Sequence, residues 1–311
     1  MSTPFARAAL ALALLVSAAG CGQKPADSAA AVADAAAPAA TIRRSADLLK
    51  RGEFVELLQN TLPPVAFEKV KSDWNHDARQ KPITDEDRER FATTMAMLTA
   101  PNAEQTLYAD LEPKLKEFEA QYQQQIPMYV MMGSSWLQGA VQQSKTLSDA
   151  DKQQAVAAIN ALGAWVQKTR FTEPDAVKQV LAIAARTARE IDLKTLDEAR
   201  ALSFEQSMQK ARVAYLGIKD ALAVYGLSLD ATFDSVKPEV VSNDGQSAKV
   251  AVAYTLLDTP LTMQAEMVNR DGHWYGKHAL EQLEAPASGT AAPPAPVPAT
   301  PASAGASPSP H

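Results

Sequence analysis

The hydrophobic period of this chain changes once, near Gly226, and that change limits the fold more than any other feature. Upstream, apolar residues recur every three or four positions, as in Ile42, Ala46, Leu49, then Phe54, Leu57, Leu58, then Val65, Phe67, Val70, Trp74. That spacing lines one side of an α-helix. Downstream they recur every second position, in Val250, Val252, Tyr254, Leu256 and again in Leu261, Met263, Ala265, Met267. A period of two marks strands with one covered face. The expected fold class is α+β: a large, mainly helical region over residues 41–226, then an antiparallel sheet region over 227–285 that completes the same domain.

Local signals divide the helical region. Gly52 marks a break, Leu62-Pro63-Pro64 a stop, and Pro64 suits the first turn of the next helix. Thr84 followed by Asp85, Glu86 and Asp87 reads as an N-cap with acids in the first turn, where they meet the positive end of the helix dipole. The stretch Asn102 to Ser144 is expected to kink or divide at Pro113 and Pro127. Ser148 and Glu173-Pro174-Asp175 open two further helices, and a last one runs from about Thr195 to Tyr225, with Gly226 closing it. An extended run from Thr232 to Val241 then leads into the sheet. Asn243-Asp244-Gly245, Asp258-Thr259-Pro260 and Arg270-Asp271-Gly272 are turns, and Trp274-Tyr275 lie on a short fourth strand. Turns this short require an antiparallel meander of four strands, with the preceding helices covering one face.

The ends differ in kind from the middle. Residues 1–20 have the layout of a secretion signal: Arg7, a nine-residue apolar run from Ala8 to Val16, then small residues. The run is too short to span a bilayer, which takes about 20 apolar residues. Cys21, the single cysteine, follows directly. No intramolecular disulfide can form, so the fold must stand on its hydrophobic core. The ending Ala19-Gly20-Cys21 resembles the lipobox of bacterial lipoproteins. That resemblance implies cleavage before Cys21, lipid on its sulfur and acylation of the new amine, hence a membrane anchor. With Gly22 rather than Asp next in line, it also implies the outer membrane, facing the periplasm. Residues 21–40, rich in Ala, are expected to be a flexible stalk. Residues 286–311, with eight of the 20 prolines, are expected to be a disordered Pro/Ala tail.

Charge and motifs exclude several functions. The formal net charge is −6, and no basic cluster is present, so nucleic acid is not an expected partner. No Gly-rich phosphate loop occurs, and Gly133-Ser134-Ser135 lacks the strand and second glycine of a nucleophile elbow. His273 and His278 are read as lying on one strand, five apart and so on opposite faces. His76 with Asp73 and Asp77 reads as a solvated helix end rather than a metal site. No metal, cofactor or catalytic residue is expected.

One cluster remains. Met128, Tyr129, Met131, Met132 and Trp136 follow Pro127. They suit the buried side of an ordinary helix, or a pliable surface for apolar ligands. A ligand pocket, if formed, is expected between Met128, Met131, Met132, Trp136 and the sheet face bearing Trp274. The segments Leu49-Lys50-Arg51-Gly52-Glu53-Phe54 and Leu62-Pro63-Pro64, with Asn269-Arg270-Asp271-Gly272-His273-Trp274-Tyr275 near the end, make residues 41–76 and 230–278 similar to nuclear-transport-factor-like or lumazine-binding-like lipoproteins. That resemblance implies a helix-lined cone on a bent sheet. Two functions are therefore expected. The first is a non-enzymatic interaction or envelope-maintenance module with an envelope-protein or cell-wall partner. The alternative is a binding module for a small apolar ligand.

Overall fold

Alanine is the best helix former, and the Ala-rich stretch before Thr41 takes that conformation. The structure, a computed structural model, describes residues 29–80, 82–122, 124–145 and 147–284. Its first helix, α1, spans Ala29–Arg51. The stalk expected up to residue 40 is thus helical from Ala29, and the packed domain starts before Thr41. Ala37, Ala39 and Ile42 lie against the sheet, and Pro38 is fully buried. Small side chains let this helix approach closely, and that closeness supplies the burial that its composition alone does not suggest. The leader, Cys21 and the tail lie outside the described residues.

Ten helices follow before the sheet: α2 (Phe54–Thr61), α3 (Pro64–Gln80), α4 (Asp85–Thr99), α5 (Ala103–Tyr122), α6 (Ile126–Gln143), α7 (Asp149–Lys168), α8 (Pro174–Ile191), α9 (Leu196–Ala201), α10 (Phe204–Val224) and α11 (Leu229–Asp234). Then come β1 (Lys237–Asn243), β2 (Ser247–Leu256), β3 (Thr259–Arg270), β4 (His273–Gly276) and a closing helix α12 (Lys277–Glu284). The fold is α+β, mainly helical with a four-stranded antiparallel sheet in the order β1-β2-β3-β4.

The local signals act as expected at most boundaries. Gly52 turns the chain at φ +66°, while the Glu53 amide bonds the Leu48 carbonyl at 3.0 Å. Thr84 and Asp87 form a reciprocal capping box, and Ser148 and Glu173 cap α7 and α8. Gly226, at φ +83°, closes α10, with the Leu227 amide on the Leu222 carbonyl at 3.0 Å. Four expectations change. Pro113 sits inside α5, which runs through it from Ala103 to Tyr122, whereas the chain does divide ahead of Pro127, which lies in the first turn of α6. The helix expected from Thr195 to Tyr225 is two, because the Ser203 hydroxyl accepts from the Gln206 amide and starts α10 afresh. Thr232 belongs to the short helix α11, and β1 begins only at Lys237. His278 lies in α12, so it does not share a strand with His273.

The sheet has one closed face. Ala248, Val250 and Val252 alternate inward along β2, and Met267 and Trp274 join them across the ladder. Val250 pairs with Ala265 and Val252 with Met263, which keeps the apolar rows aligned. Helix α1 covers this face, and α7 lies against β3. Polar ties fix α1 there. Arg43 Nη1 donates to the carbonyls of Phe233 and Val236 at 3.1 and 2.9 Å, and Asn60 Nδ2 donates to Ser45 Oγ at 2.9 Å. The buried Lys219 ammonium donates to the Lys50 carbonyl and pairs with Asp230, joining α10, α1 and α11. A second core gathers Phe67, Phe204 and Met208 beneath Trp74, with edge-on rings whose centroids are 6.1 Å apart.

Tyr215 makes a testable point in this interior. Its hydroxyl is buried without a hydrogen-bond partner among the described residues, and burial, helped by Asp230, pushes its pKa up to about 12. An unfolded chain ionises tyrosine near pH 10. The protonated phenol's contribution is therefore complete below about pH 10 and is lost as pH rises towards about 12. Tyr215→Phe is expected to change stability little at pH 7, since it deletes an unsatisfied group, and to flatten the alkaline loss. Urea midpoints measured from pH 7 to 11 check this. An alkaline decline identical to that of the native chain would contradict it.

Candidate functional site

Helix α6 leaves most of its large apolar side chains exposed. Its inner row, Ile126, Val130, Ser134 and Gln138, recurs every four residues and faces α7. Gly163 of α7 permits the approach, because a Cβ there would stand 3.4 Å from Val130 Cγ1 and 3.2 Å from Ser134 Oγ. Gln138 Nε2 adds a bond to Asn160 Oδ1 at 2.9 Å. Yet no residue of α6 is buried. Met128, Tyr129, Met132 and Trp136 point away from α7, with Met131 and Leu137 at the edges, each 46–64% exposed. Six of the thirteen exposed large apolar side chains among the described residues thus sit within ten consecutive positions. At roughly 200 Å² for a large side chain, the four that point outward offer about 450 Å² of apolar surface. That is within the range of the largest patch on a typical monomer, about 300–600 Å², which is often functional.

The same stretch carries no charge. No Asp, Glu, Lys or Arg occurs in residues 120–144, between Glu119 and Lys145. Surface helices normally carry charge on the side turned to water, and this one carries none. This gap in charge was the signal available in the sequence for the outer face of α6.

The expected pocket between the methionines and Trp274 does not form. Trp274 is 2% exposed and belongs to the sheet core beside Ala248, Val250 and Met267. Its register opposite Asn269 turns the ring onto the closed face, where the small residues of α1 admit it. Helix α7 lies between α6 and β3, so Met128, Met131, Met132 and Trp136 act together and Trp274 acts elsewhere. The reading of the methionine cluster as a buried helix side is corrected as well, since α7 takes only the inner row.

Two open grooves flank α7. One of about 300 Å³ between α6 and α7 is lined by Ser134, Ser135, Gln138, Asn160 and Gln167. These are hydroxyls and amides, with no general base beside either serine. The other, of about 540 Å³, is lined by Trp165, Lys168, Thr232, Thr255, Leu257 and Asp258. Leu257 and Asp258 form the tight β2–β3 turn at φ +50° and +62°. Where α7 meets the sheet, Asp151 is 2% exposed and accepts from the Ser148 hydroxyl at 2.6 Å. Gln154 donates there to the Tyr254 hydroxyl, whose pKa burial raises.

The other polar candidates serve structure. Asp73 pairs with Lys69 at 2.7 Å, while the side chains of His76 and Asp77 lie outside the described residues. Asp85 meets Arg88 and Glu86 meets Arg90. The Thr84 hydroxyl and amide hold the Asp87 carboxyl below the usual carboxylate range. His273 Nε2 stands 2.9 Å from the Asn60 carbonyl, so that nitrogen donates. Among the described residues, no helix is long and apolar enough to cross a membrane. Compared with known proteins, the chain matches no family model, no curated protein and no solved structure. Its function is therefore read from its own residues.

Proposed function

We propose that this chain is a lipid-anchored, non-enzymatic interaction module of the bacterial envelope, held at the outer membrane on its periplasmic side by Cys21. The observation that carries the docking role is the uncharged apolar face of α6, which no element among the described residues covers. The run Ala19-Gly20-Cys21 behind an apolar leader supports the anchor. Two or more acyl chains hold a protein stably at a membrane, whereas one does so only reversibly. Neither serine lining the groove between α6 and α7 has a general base among its lining neighbours.

Fractionation of cells expressing the whole chain tests this reading. Cys21→Ser is expected to move the protein from the membrane pellet to the soluble fraction. Met132→Glu with Cys21 intact is expected to stay in the pellet. A Cys21→Ser chain that still pellets overturns the anchor. If adding Met132→Glu then releases it, the α6 face itself binds membrane.

A further inference from the structure

We infer that the partner of the α6 face is a second copy of this chain, joined to it through α6 about a two-fold axis. The inference rests on the docking role proposed above and names its occupant. Three features of the face point to a copy of itself.

The first is area. Two faces of about 450 Å² would bury about 900 Å² together, the size of weak or transient protein pairs, which stay below about 1,200 Å². The second is shape. Met128, Met132 and Trp136 recur at four-residue spacing, which places them in one ridge along the helix. Past the end of that ridge lies Gly139, where a Cβ would meet nothing within 4 Å, so the outer surface is open there. Antiparallel pairing centred near Ser134 sets Met128 of one copy over Gly139 and Ala140 of its partner. The same pairing brings Trp136 onto the partner's Met132, a sulfur–aromatic contact. Met128 thus meets small residues, Trp136 meets a pliable one, and a two-fold axis makes each such contact twice.

The third feature is charge. A two-fold contact brings like residues close together, and a helix with charges on its outer face would repel its copy. Helix α6 has none. The same absence argues against a lipid surface, since helices that lie on bilayers carry Lys or Arg along their polar side. Two copies tethered to one membrane would also meet at a high effective concentration, so a modest affinity suffices.

Sedimentation of the chain from residue 21 onward, carrying Cys21→Ser, tests the inference without the anchor. Between about 1 and about 100 µM the native face is expected to show a monomer–dimer equilibrium. Trp136→Glu is expected to weaken it at least about 10-fold, as loss of a central aromatic anchor does. Because Trp136 is 62% exposed, its far-UV circular dichroism and thermal midpoint should stay those of the native chain. In the same cysteine-free background, Ser135→Cys is expected to form a disulfide-linked dimer under mild oxidation, and Lys249→Cys on the opposite sheet face is not.

A monomer at every concentration overturns the inference, as does a dimer that Trp136→Glu leaves intact. A monomer that floats with neutral phospholipid vesicles, and stops doing so on Trp136→Glu, assigns the face to lipid and overturns the copy. None of these outcomes depends on Cys21, so failure of self-association and failure of the anchor are read separately.

Discussion

Trp274→Ala is expected to destabilise the protein by about 3–5 kcal/mol, the usual cost of emptying a large aromatic site in a core. The side chain is 2% exposed and packs with Ala248, Val250, Val252 and Met267 under α1. Its neighbours are small, and β4 is held in register by the ladder to β3, so the cavity has little to collapse into. Folding stabilities are about 5–15 kcal/mol, so this one change removes a large part of the total. Trp274→Phe separates the causes. The indole Nε1 is buried with no partner among the described residues, so phenylalanine deletes an unsatisfied donor while keeping most of the apolar volume. Urea unfolding followed by circular dichroism should rank native, Phe and Ala in descending stability, with Phe much nearer native. A loss below about 1 kcal/mol for Ala would show that the ring is not a core element.

The second large effect is expected at Gly217. Helices α8 and α10 share the most extensive helix–helix seam, and Gly217 is buried in it against Thr187. A Cβ at Gly217 would stand 2.8 Å from Thr187 Cγ2 and nearer still to its hydroxyl. Glycine in mid-helix normally costs about 0.5–1 kcal/mol relative to alanine, so a larger residue there should help unless space forbids it. Here space forbids it. Gly217→Leu is expected to cost about 2–3 kcal/mol by forcing α8 and α10 apart. Adding Thr187→Ala should return part of that loss, giving a coupling between neighbours that a double-mutant cycle reads directly. Additive effects, with no recovery in the pair, would place the strain elsewhere. The Arg186–Asp220 pair on the same seam is exposed and contributes little by comparison.

Signals that act over one turn of chain were legible. Thr84, Ser148 and Glu173 cap helices because each satisfies amides two or three positions on, a relation contained in the local sequence. The strand alternation was legible too, because a closed sheet face leaves a period of two whatever covers it. What covers it was not legible. The Ala-rich stretch before Thr41 has no large apolar stripe, so nothing local shows that Ala37 and Ala39 lie on Val250 and its neighbours. Ser203 failed to stand out because it lies in a run whose apolar spacing continues through it. Helix α6 shows the limit from the other side. Its apolar period proves a helix, but a periodic pattern does not say whether both sides have partners. Only the placement of α7 shows that the inner row is taken and the outer one is not. Trp274 was misassigned for the same reason: an aromatic residue on a strand reads alike whether it faces a ligand or a helix.

The earliest described helix closes on the latest strands. Arg43 reaches the Phe233 carbonyl across 190 positions of sequence, and Asn60 meets His273 across 213. A chain emerging from the ribosome or a translocation pore in its usual direction therefore makes α1 long before its seat exists. Until the sheet is out, the part of α1 around Ala37, Ala39 and Ile42 has no seat, and closing so long a loop is entropically slow. Late completion of this kind lengthens the interval in which proteases and chaperones compete for the nascent polypeptide. A stop codon only a few dozen codons early would take Trp274 from under α1.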